Sequence, residues 1–250
     1  MSMETELKEL ELCRAYILSR LEEAPRVPAV LHQPGPAITL SYQTGTDVEE
    51  IAGQLRGTLQ KAENEGEHPW TVFNRQLIEA VLEEHNLPKQ MGRLIPEERR
   101  SYLKDVTDEL LGLRLPSWII GPEIVETVLH LADAGNVILV GRGANLITAR
   151  MPNVFHVRLI GSLEKRTKRI QSQKSLTAEE AARFVAQQDR ARGRYVKAHF
   201  HVRLEDPLHY HLVINTNFMP SADAALLIAD GARRCFETAK FPIGKDDHAT

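Results

Sequence analysis

Cysteine is scarce in this chain, and long apolar runs are absent. The two cysteines, Cys13 and Cys235, lie far apart and match no metal-ligand spacing, so neither a disulfide scaffold nor a cysteine-rich metal site is expected. No apolar run approaches the roughly 18 residues that a transmembrane helix needs. The charged start also lacks the apolar segment of a signal peptide. We therefore expect a cytoplasmic protein without a membrane partner.

An excess of positive charge is also missing. The 250 residues include 31 Lys and Arg against 34 Asp and Glu, which gives a net charge of −3. A nucleic-acid partner is therefore not expected, and any anion site must be local. With 42% hydrophobic and 26% charged residues, the chain has the composition of an ordinary globular protein. Its length is sufficient to bury a sizeable core.

The first 35 residues differ from the rest. Residues 4–23 carry apolar side chains at helical spacing, whereas residues 25–36 hold four prolines and predict a linker. We therefore separate residues 1–35 from a main domain over 36–240 and expect a flexible tail over 241–250. The segment 1–24 is a candidate surface for a second copy of the chain or for another protein.

Strand and helix patterns alternate along the main domain. Buried strands are predicted at 37–42, 137–140, 154–160 and 212–215. Helices are predicted at 47–59, 75–84, 122–134, 163–173, 177–192 and 221–238. This alternation predicts an α/β fold with a central parallel sheet and right-handed crossovers.

The turn after the first strand is where a phosphate-binding loop would stand. Such a loop needs backbone N–H groups at a helix N-terminus, glycines for close approach and usually a lysine. This turn has a single glycine, Gly45, and no lysine. Thr46 and Glu49 fit a capping box instead, and Asp47 and Glu50 add negative charge where a phosphate would bind. The residues are compatible with two structures, a nucleotide-binding loop and a helix that is capped by its own side chains.

A Gly-Arg-Gly turn follows the apolar strand at 137–140. Ligands of open α/β sheets bind beyond the carboxyl ends of the strands. Gly141 and Gly143 leave room there, and Arg142 could hold a phosphate with a bidentate fork. The alternative is a tight turn with Arg142 facing solvent.

Residues 183–203 form a local concentration of positive charge. They contain six arginines and lysines and one acid, Asp189. Phosphoryl transfer depends on such cationic clamps. Arg190 and Arg194 share one helix face, and Arg192 points elsewhere if the helix continues. A solvated basic helix is the alternative, since a nucleic-acid patch would carry more aromatics. No acid or cysteine joins the nearby histidines, so no metal ligands are expected.

Taken in order, these segments resemble the cytidylate kinase-like family of P-loop proteins, relatives of the nucleoside monophosphate kinases. The resemblance covers about residues 37–232. It is carried by Ile38–Ser41, Gly45–Ala52, Phe73–Ile78, Val140–Ala144, Val157–Leu159, Glu164–Arg166, Asp189–Arg192, Tyr195–Val196, Asp206–Pro207 and Tyr210–Thr216. The resemblance implies a three-layer kinase-like fold with a helical insertion for the nucleoside monophosphate. It also implies a lid over about residues 174–205.

The resemblance further implies a reaction and its residues. The reaction is transfer of the γ-phosphate of ATP, with Mg²⁺, to CMP or a related nucleoside monophosphate. Arg142, Arg190 and Arg192 are then the catalytic arginines. Arg75, Arg142 and Asp189 are then the residues that bind the nucleoside monophosphate.

The segment that takes the place of the family's phosphate loop is Gly45, Thr46, Asp47 and Val48, which would bind the donor nucleotide. The family has roughly Gly-Ser-Gly-Gly-Arg-Glu here. Asp47 and Val48 thus replace glycines, and Glu49 replaces the arginine, which reverses one charge. Valine rarely adopts the positive φ that glycine permits. The alternative function is therefore a catalytically impaired regulatory protein that binds a nucleotide or phosphorylated ligand. A structural protein without a ligand is a third possibility.

Overall fold

The computed structural model describes residues 3–23, 34–62, 69–74, 76–78, 103, 107, 122–141 and 143–238. The strands are β1 (Ala37–Tyr42), β2 (Thr71–Asn74), β3 (Val137–Val140), β4 (Val154–Ile160) and β5 (Leu212–Asn215). The helices are α1 (Met3–Glu23), α2 (Val48–Ala62), α3 (Pro122–Ala134), α4 (Ala144–Ile147), α5 (Leu163–Lys174), α6 (Ala178–Phe200) and α7 (Ser221–Thr238). A short 3-10 helix spans Pro207–His209.

The five strands form one parallel sheet in the order β2-β3-β1-β4-β5. β1 is central, and its Leu40 pairs with Val140 of β3 and with Val157 of β4. This register brings the carboxyl ends of the strands to one edge, where ligands of such sheets bind. The predicted α/β fold with a central parallel sheet is confirmed.

Helices cover both faces of the sheet, which gives three layers. Alternate side chains of a strand point to opposite faces. Ala37 of β1 accordingly packs in a cluster with α1 and α3, whereas Ile38 and Leu40 pack in a second cluster with α2 and α7. Burial on both faces explains why β3 is a continuous apolar run.

Helix α1 contributes to the first of these clusters. Its Cys13, Tyr16 and Ile17 are at most 2% exposed. The Tyr16 hydroxyl donates to the carbonyl of Gly135, and burial raises the pKa of Tyr16 to about 12, so the donor proton is retained. The domain boundary at residue 35 and the partner surface on residues 1–24 stay predictions.

Several elements differ from the sequence-based expectation. β2, the short helix α4 and the 3-10 helix are absent from the predicted elements, and α6 continues to Phe200 instead of ending near residue 192. Most of the helix predicted at 75–84 lies outside the described residues, as do residues 25–33 of the linker, the tail and most of the region expected to hold the helical insertion. In the described ranges, no helix has the length and apolar character to cross a bilayer.

Candidate functional site

The turn between β1 and α2 is tightly packed. Gly45 has a φ of 84°, and a Cβ at this position would collide with the backbone carbonyl of Arg166. The side chain of Gln43 accepts a hydrogen bond from the N–H of Gly161 at 3.0 Å. This turn therefore rests directly on the segment between β4 and α5, and glycine is required for that approach.

The N-terminus of α2 is capped one residue later than the sequence predicted. The helix begins at Val48, and the N–H of Ile51 donates to the Asp47 carbonyl at 2.8 Å. The Thr46 hydroxyl donates to the Gln43 carbonyl at 2.8 Å. Asp47 therefore takes the N-cap position, and its carboxylate forms an ion pair with Arg169 of α5.

Asp189 of α6 brings this turn together with two arginines. Its Oδ1 accepts from the N–H of Thr44 at 3.0 Å and from Nη2 of Arg192 at 3.2 Å. Its Oδ2 accepts from Nη1 of Arg166 at 2.6 Å. A carboxylate of the protein thus binds a backbone N–H group of the turn where a phosphate loop would bind its anion.

The two arginines are themselves buried. Arg166 also donates to the carbonyls of Thr44 and Gly161, at 3.0 and 2.9 Å. Arg192 is 5% exposed, and its guanidinium lies 4.7 Å from the centroid of the Tyr42 ring. Both side chains are held against the carboxyl end of β1.

Helix α6 separates the arginines that the sequence singled out. Asp189 and Arg192 are three residues apart and share the face that meets the sheet, whereas Arg190 and Arg194 are exposed. α6 therefore brings Arg192, and not Arg190, to the turn. Thr177 and Glu180 form a capping box at the start of α6.

The other two predicted site arginines, Arg75 and Arg142, lie outside the described residues. Their predicted roles at the acceptor phosphate stay predictions. The glycine beside Arg142 is informative, because a Cβ on Gly143 would meet the ring of Phe200 at 3.2 Å. Gly143 therefore lies next to the end of α6.

A third buried arginine was not singled out as a site residue. Arg158 of β4 is 4% exposed, and its Nη1 donates to Oγ of Ser41 at 2.8 Å. Its guanidinium lies 5.7 Å from the centroid of the Tyr210 ring. The signal in the sequence was an arginine inside the strand predicted at 154–160, whose other residues apart from His156 are apolar.

The rings of His156 and His211 pack against each other, with their centroids 5.1 Å apart. Nδ1 of His156 lies 2.9 Å from the hydroxyl oxygen of Thr39, and the N–H of His156 donates to Nδ1 of His211 at 2.9 Å. Burial lowers the pKa of His156 to about 3 and lowers the pKa of His211 as well. Both rings are therefore neutral at physiological pH. No group of three His, Cys, Asp or Glu residues suited to a metal ion occurs in the part of the chain that the structure describes.

The turn does not fit a nucleoside triphosphate with Mg²⁺. Its Thr44 N–H is bonded to Asp189, and Asp47 is paired with Arg169. The first turn of α2 adds two more acids, which would repel the phosphates. A lysine to offset this charge is missing from the turn.

Comparisons with known proteins bear on this arrangement. A family model described as the cytidylate kinase-like family matches residues 37–217. No curated protein matches the chain significantly. A solved structure of an uncharacterized protein from Eubacterium ventriosum is similar at 15% identity, with 81% of this chain and 98% of that chain covered and a TM-score of 0.48. A structure from Thermus thermophilus is similar at 18% identity, with 84% and 100% covered and a TM-score of 0.44.

Proposed function

The chain belongs to the cytidylate kinase-like family, and from this we propose that it binds a nucleoside monophosphate, with CMP as the first candidate. The site is the carboxyl edge of the parallel sheet, under α6. We further propose that ATP with Mg²⁺ is a poor donor, so that the protein acts as a nucleotide-binding regulatory member of a kinase-like family.

The observation that carries this proposal is the contact between Thr44 and Asp189. A phosphate loop binds its anion through free backbone N–H groups. Here the N–H of Thr44 donates to a carboxylate of the protein at 3.0 Å, and that carboxylate is held by Arg166 and Arg192. A triphosphate would have to displace this carboxylate and would then face Asp47 and the acids of α2.

The same edge of the sheet also carries cationic groups that suit an anion. Arg166 and Arg192 are buried at the edge where the strands end, and guanidinium groups bind phosphate in a bidentate manner. In the sequence, Arg75 follows β2 directly and Arg142 is the second residue after β3. In this proposal they join the acceptor site, as the family resemblance implies.

The test is isothermal titration calorimetry with CMP and, separately, with ATP and Mg²⁺, followed by a coupled assay for CDP formation. We expect CMP to bind, ATP to give no heat of binding, and no CDP to form. Arg192→Gln should weaken CMP binding by about tenfold or more, because a charge-assisted contact is lost. Arg183→Gln, which changes an exposed arginine of the same helix, should bind CMP as the wild type does. A wild-type chain that fails to bind any nucleoside monophosphate contradicts the proposal.

The second candidate is phosphoryl transfer from ATP to CMP. It is favoured by the placement of Asp189 and Arg192 on one continuous helix, with Arg190 exposed beside them. A displacement of α6 would release the Thr44 N–H and both buried arginines together, and lid movements of this kind are common in phosphotransferases. CDP formation in the coupled assay would establish this candidate and would reject the poor-donor proposal.

A further inference from the structure

The carboxylate of Asp189 lies where the oxygens of an anionic ligand would bind. Its Oδ1 accepts from the backbone N–H of Thr44 at 3.0 Å and from Nη2 of Arg192 at 3.2 Å, and its Oδ2 accepts from Nη1 of Arg166 at 2.6 Å. Backbone N–H groups in the turn before a helix and guanidinium groups are the donors by which proteins hold phosphate. The two carboxylate oxygens therefore stand in for two oxygens of a phosphate group.

The side chain of Thr44 adds a donor that the carboxylate leaves unused. Thr44 is 7% exposed, and its buried hydroxyl makes no hydrogen bond to any residue that the structure describes. A buried hydroxyl without a partner is unfavourable. A phosphate group presents three acceptor oxygens, one more than a carboxylate. It therefore offers an acceptor to the hydroxyl of Thr44 as well as to the N–H.

The Asp189 side chain is able to leave this position. It is 28% exposed, whereas the Arg166 and Arg192 side chains are 8% and 7% exposed. A released carboxylate therefore regains water, while the guanidinium donors remain buried at the site. The first half of α6 also packs with α5 in a small cluster around Ile170 and Val185, apart from both clusters that cover the sheet. Release of Asp189 thus does not require the sheet core to repack.

A phosphate monoester is a strong competitor for the donors that Asp189 occupies. At pH 7 it carries a charge of about −1.5 to −2, whereas a carboxylate carries a single charge. Phosphate also matches the bidentate geometry of a guanidinium. The two anions cannot share the same donors, because their negative charges repel each other at this distance. A ligand whose phosphate binds here must therefore displace the carboxylate.

We infer that Asp189 is autoinhibitory: its carboxylate competes with the phosphate group of a nucleotide for Thr44 and Arg166, and the nucleotide binds by displacing it. This inference rests on the proposed function, which supplies the nucleotide. It gives Asp189 an effect opposite to the one that the family resemblance implies, in which Asp189 helps to bind the nucleoside monophosphate.

The test removes the charge of Asp189 and keeps the shape of its side chain. Wild type, Asp189→Asn and Asp230→Asn are titrated by calorimetry with CMP, cytidine and inorganic phosphate, Asp230 being a carboxylate of α7 that also pairs with two arginines. We expect Asp189→Asn to bind CMP and phosphate about tenfold more tightly than the wild type, because a neutral amide competes less well for these donors. Cytidine affinity should not change, and Asp230→Asn should match the wild type for all three ligands.

The outcomes separate this inference from the proposed function. If the wild type binds CMP and Asp189→Asn binds it equally or more weakly, the proposed function stands and the inference is overturned. Equal tightening of CMP and cytidine also overturns it, because the effect would then not act on the phosphate group. Tighter phosphate or CMP binding by Asp189→Asn, with no CMP binding by the wild type, supports the inference and rejects the proposed function. Absence of binding of CMP and phosphate by both proteins overturns both.

Two measurements cover the case in which Asp189→Asn does not fold. Asp189→Ser also removes the charge and keeps an oxygen that can accept from the Thr44 N–H, so its CMP affinity should likewise rise. A crystal structure of the wild type with CMP should show the Asp189 carboxylate beyond hydrogen-bonding distance of the Thr44 N–H, with a phosphate oxygen in its place. A carboxylate still bonded to Thr44 in that structure, with the phosphate group elsewhere, would overturn the inference.

Discussion

The carboxylate of Asp189 joins three segments that are distant in the sequence. It bonds the backbone of the turn after β1, an arginine of α5 and an arginine of its own helix. Its side chain is 28% exposed, whereas the Arg166 and Arg192 side chains are 8% and 7% exposed. The arginines therefore depend on Asp189 for their counter-charge more than Asp189 depends on them.

Replacing Asp189 with asparagine tests this dependence. Asp189→Asn removes a carboxylate that pairs with the buried Arg166 and Arg192, so the free energy of unfolding should fall by about 1–3 kcal/mol. Urea denaturation measures the loss. The matched control is Asp230→Asn on α7, where the carboxylate pairs with two exposed arginines and no measurable loss is expected. Equal stabilities of the two variants would show that the Asp189 cluster contributes nothing to folding.

Among the helices, α1 shows how a segment that looks separate in the sequence can belong to the core. Tyr16 packs edge-on against Phe73 of β2, with ring centroids 5.6 Å apart, and its hydroxyl bonds Gly135 at the end of α3. Cys13 is buried on the same face, and its thiol is 3.5 Å from the carbonyl oxygen of Val72. One face of α1 therefore covers the edge strand β2.

Truncating Tyr16 should destabilise the whole protein. Tyr16→Ala removes a fully buried ring, and we expect the free energy of unfolding to fall by about 3–5 kcal/mol. Leu18→Ala, which changes a side chain 51% exposed on the same helix, is the control and should change stability by less than about 0.5 kcal/mol. Thermal and urea unfolding of the three proteins measure both effects. A Tyr16→Ala variant as stable as the wild type would show that α1 folds independently of the sheet.

The sequence predicted most elements because their signals are local. Val137–Val140 is a continuous apolar run between turn residues, and helices α2, α3 and α7 carry apolar residues at helical spacing. β2 escaped prediction because four residues at a sheet edge give too short a pattern, and pairing with β3 decides its structure. Gly193 does not end α6, since residues on both sides of it pack against the body.

The site was predicted less completely, because its geometry depends on contacts between distant residues. Asp189 and Arg192 were singled out by the resemblance, but their partner Arg166 comes from another helix. Arg169 likewise pairs with Asp47 across 122 positions of sequence separation, which no local pattern contains. The acidic residues of the turn could be recognised from the sequence. The hydrogen bond from the Thr44 N–H to the Asp189 carboxylate could not.

At the scale of the whole molecule, the net charge is −3, yet buried arginines are concentrated at one edge of the sheet. Three buried arginines come from β4, α5 and α6, and they meet at the carboxyl end of β1. A ligand bound there would contact elements that are far apart in the sequence. Such a ligand should therefore stabilise the native state as a whole, because the separated elements of the unfolded chain cannot bind it.

The expected stabilisation follows from mass action. At a CMP concentration of 100 times its dissociation constant, binding adds about 2.7 kcal/mol to the stability of the native state. For a chain of this size, that corresponds to a rise in Tm of about 5–10 °C. Differential scanning calorimetry with increasing CMP measures the rise, which should continue logarithmically beyond saturation. Cytidine at the same concentration should raise Tm less, because it lacks the phosphate group that arginine side chains bind. A Tm that rises equally with CMP and cytidine would locate binding at the base and would contradict a phosphate contact at this edge.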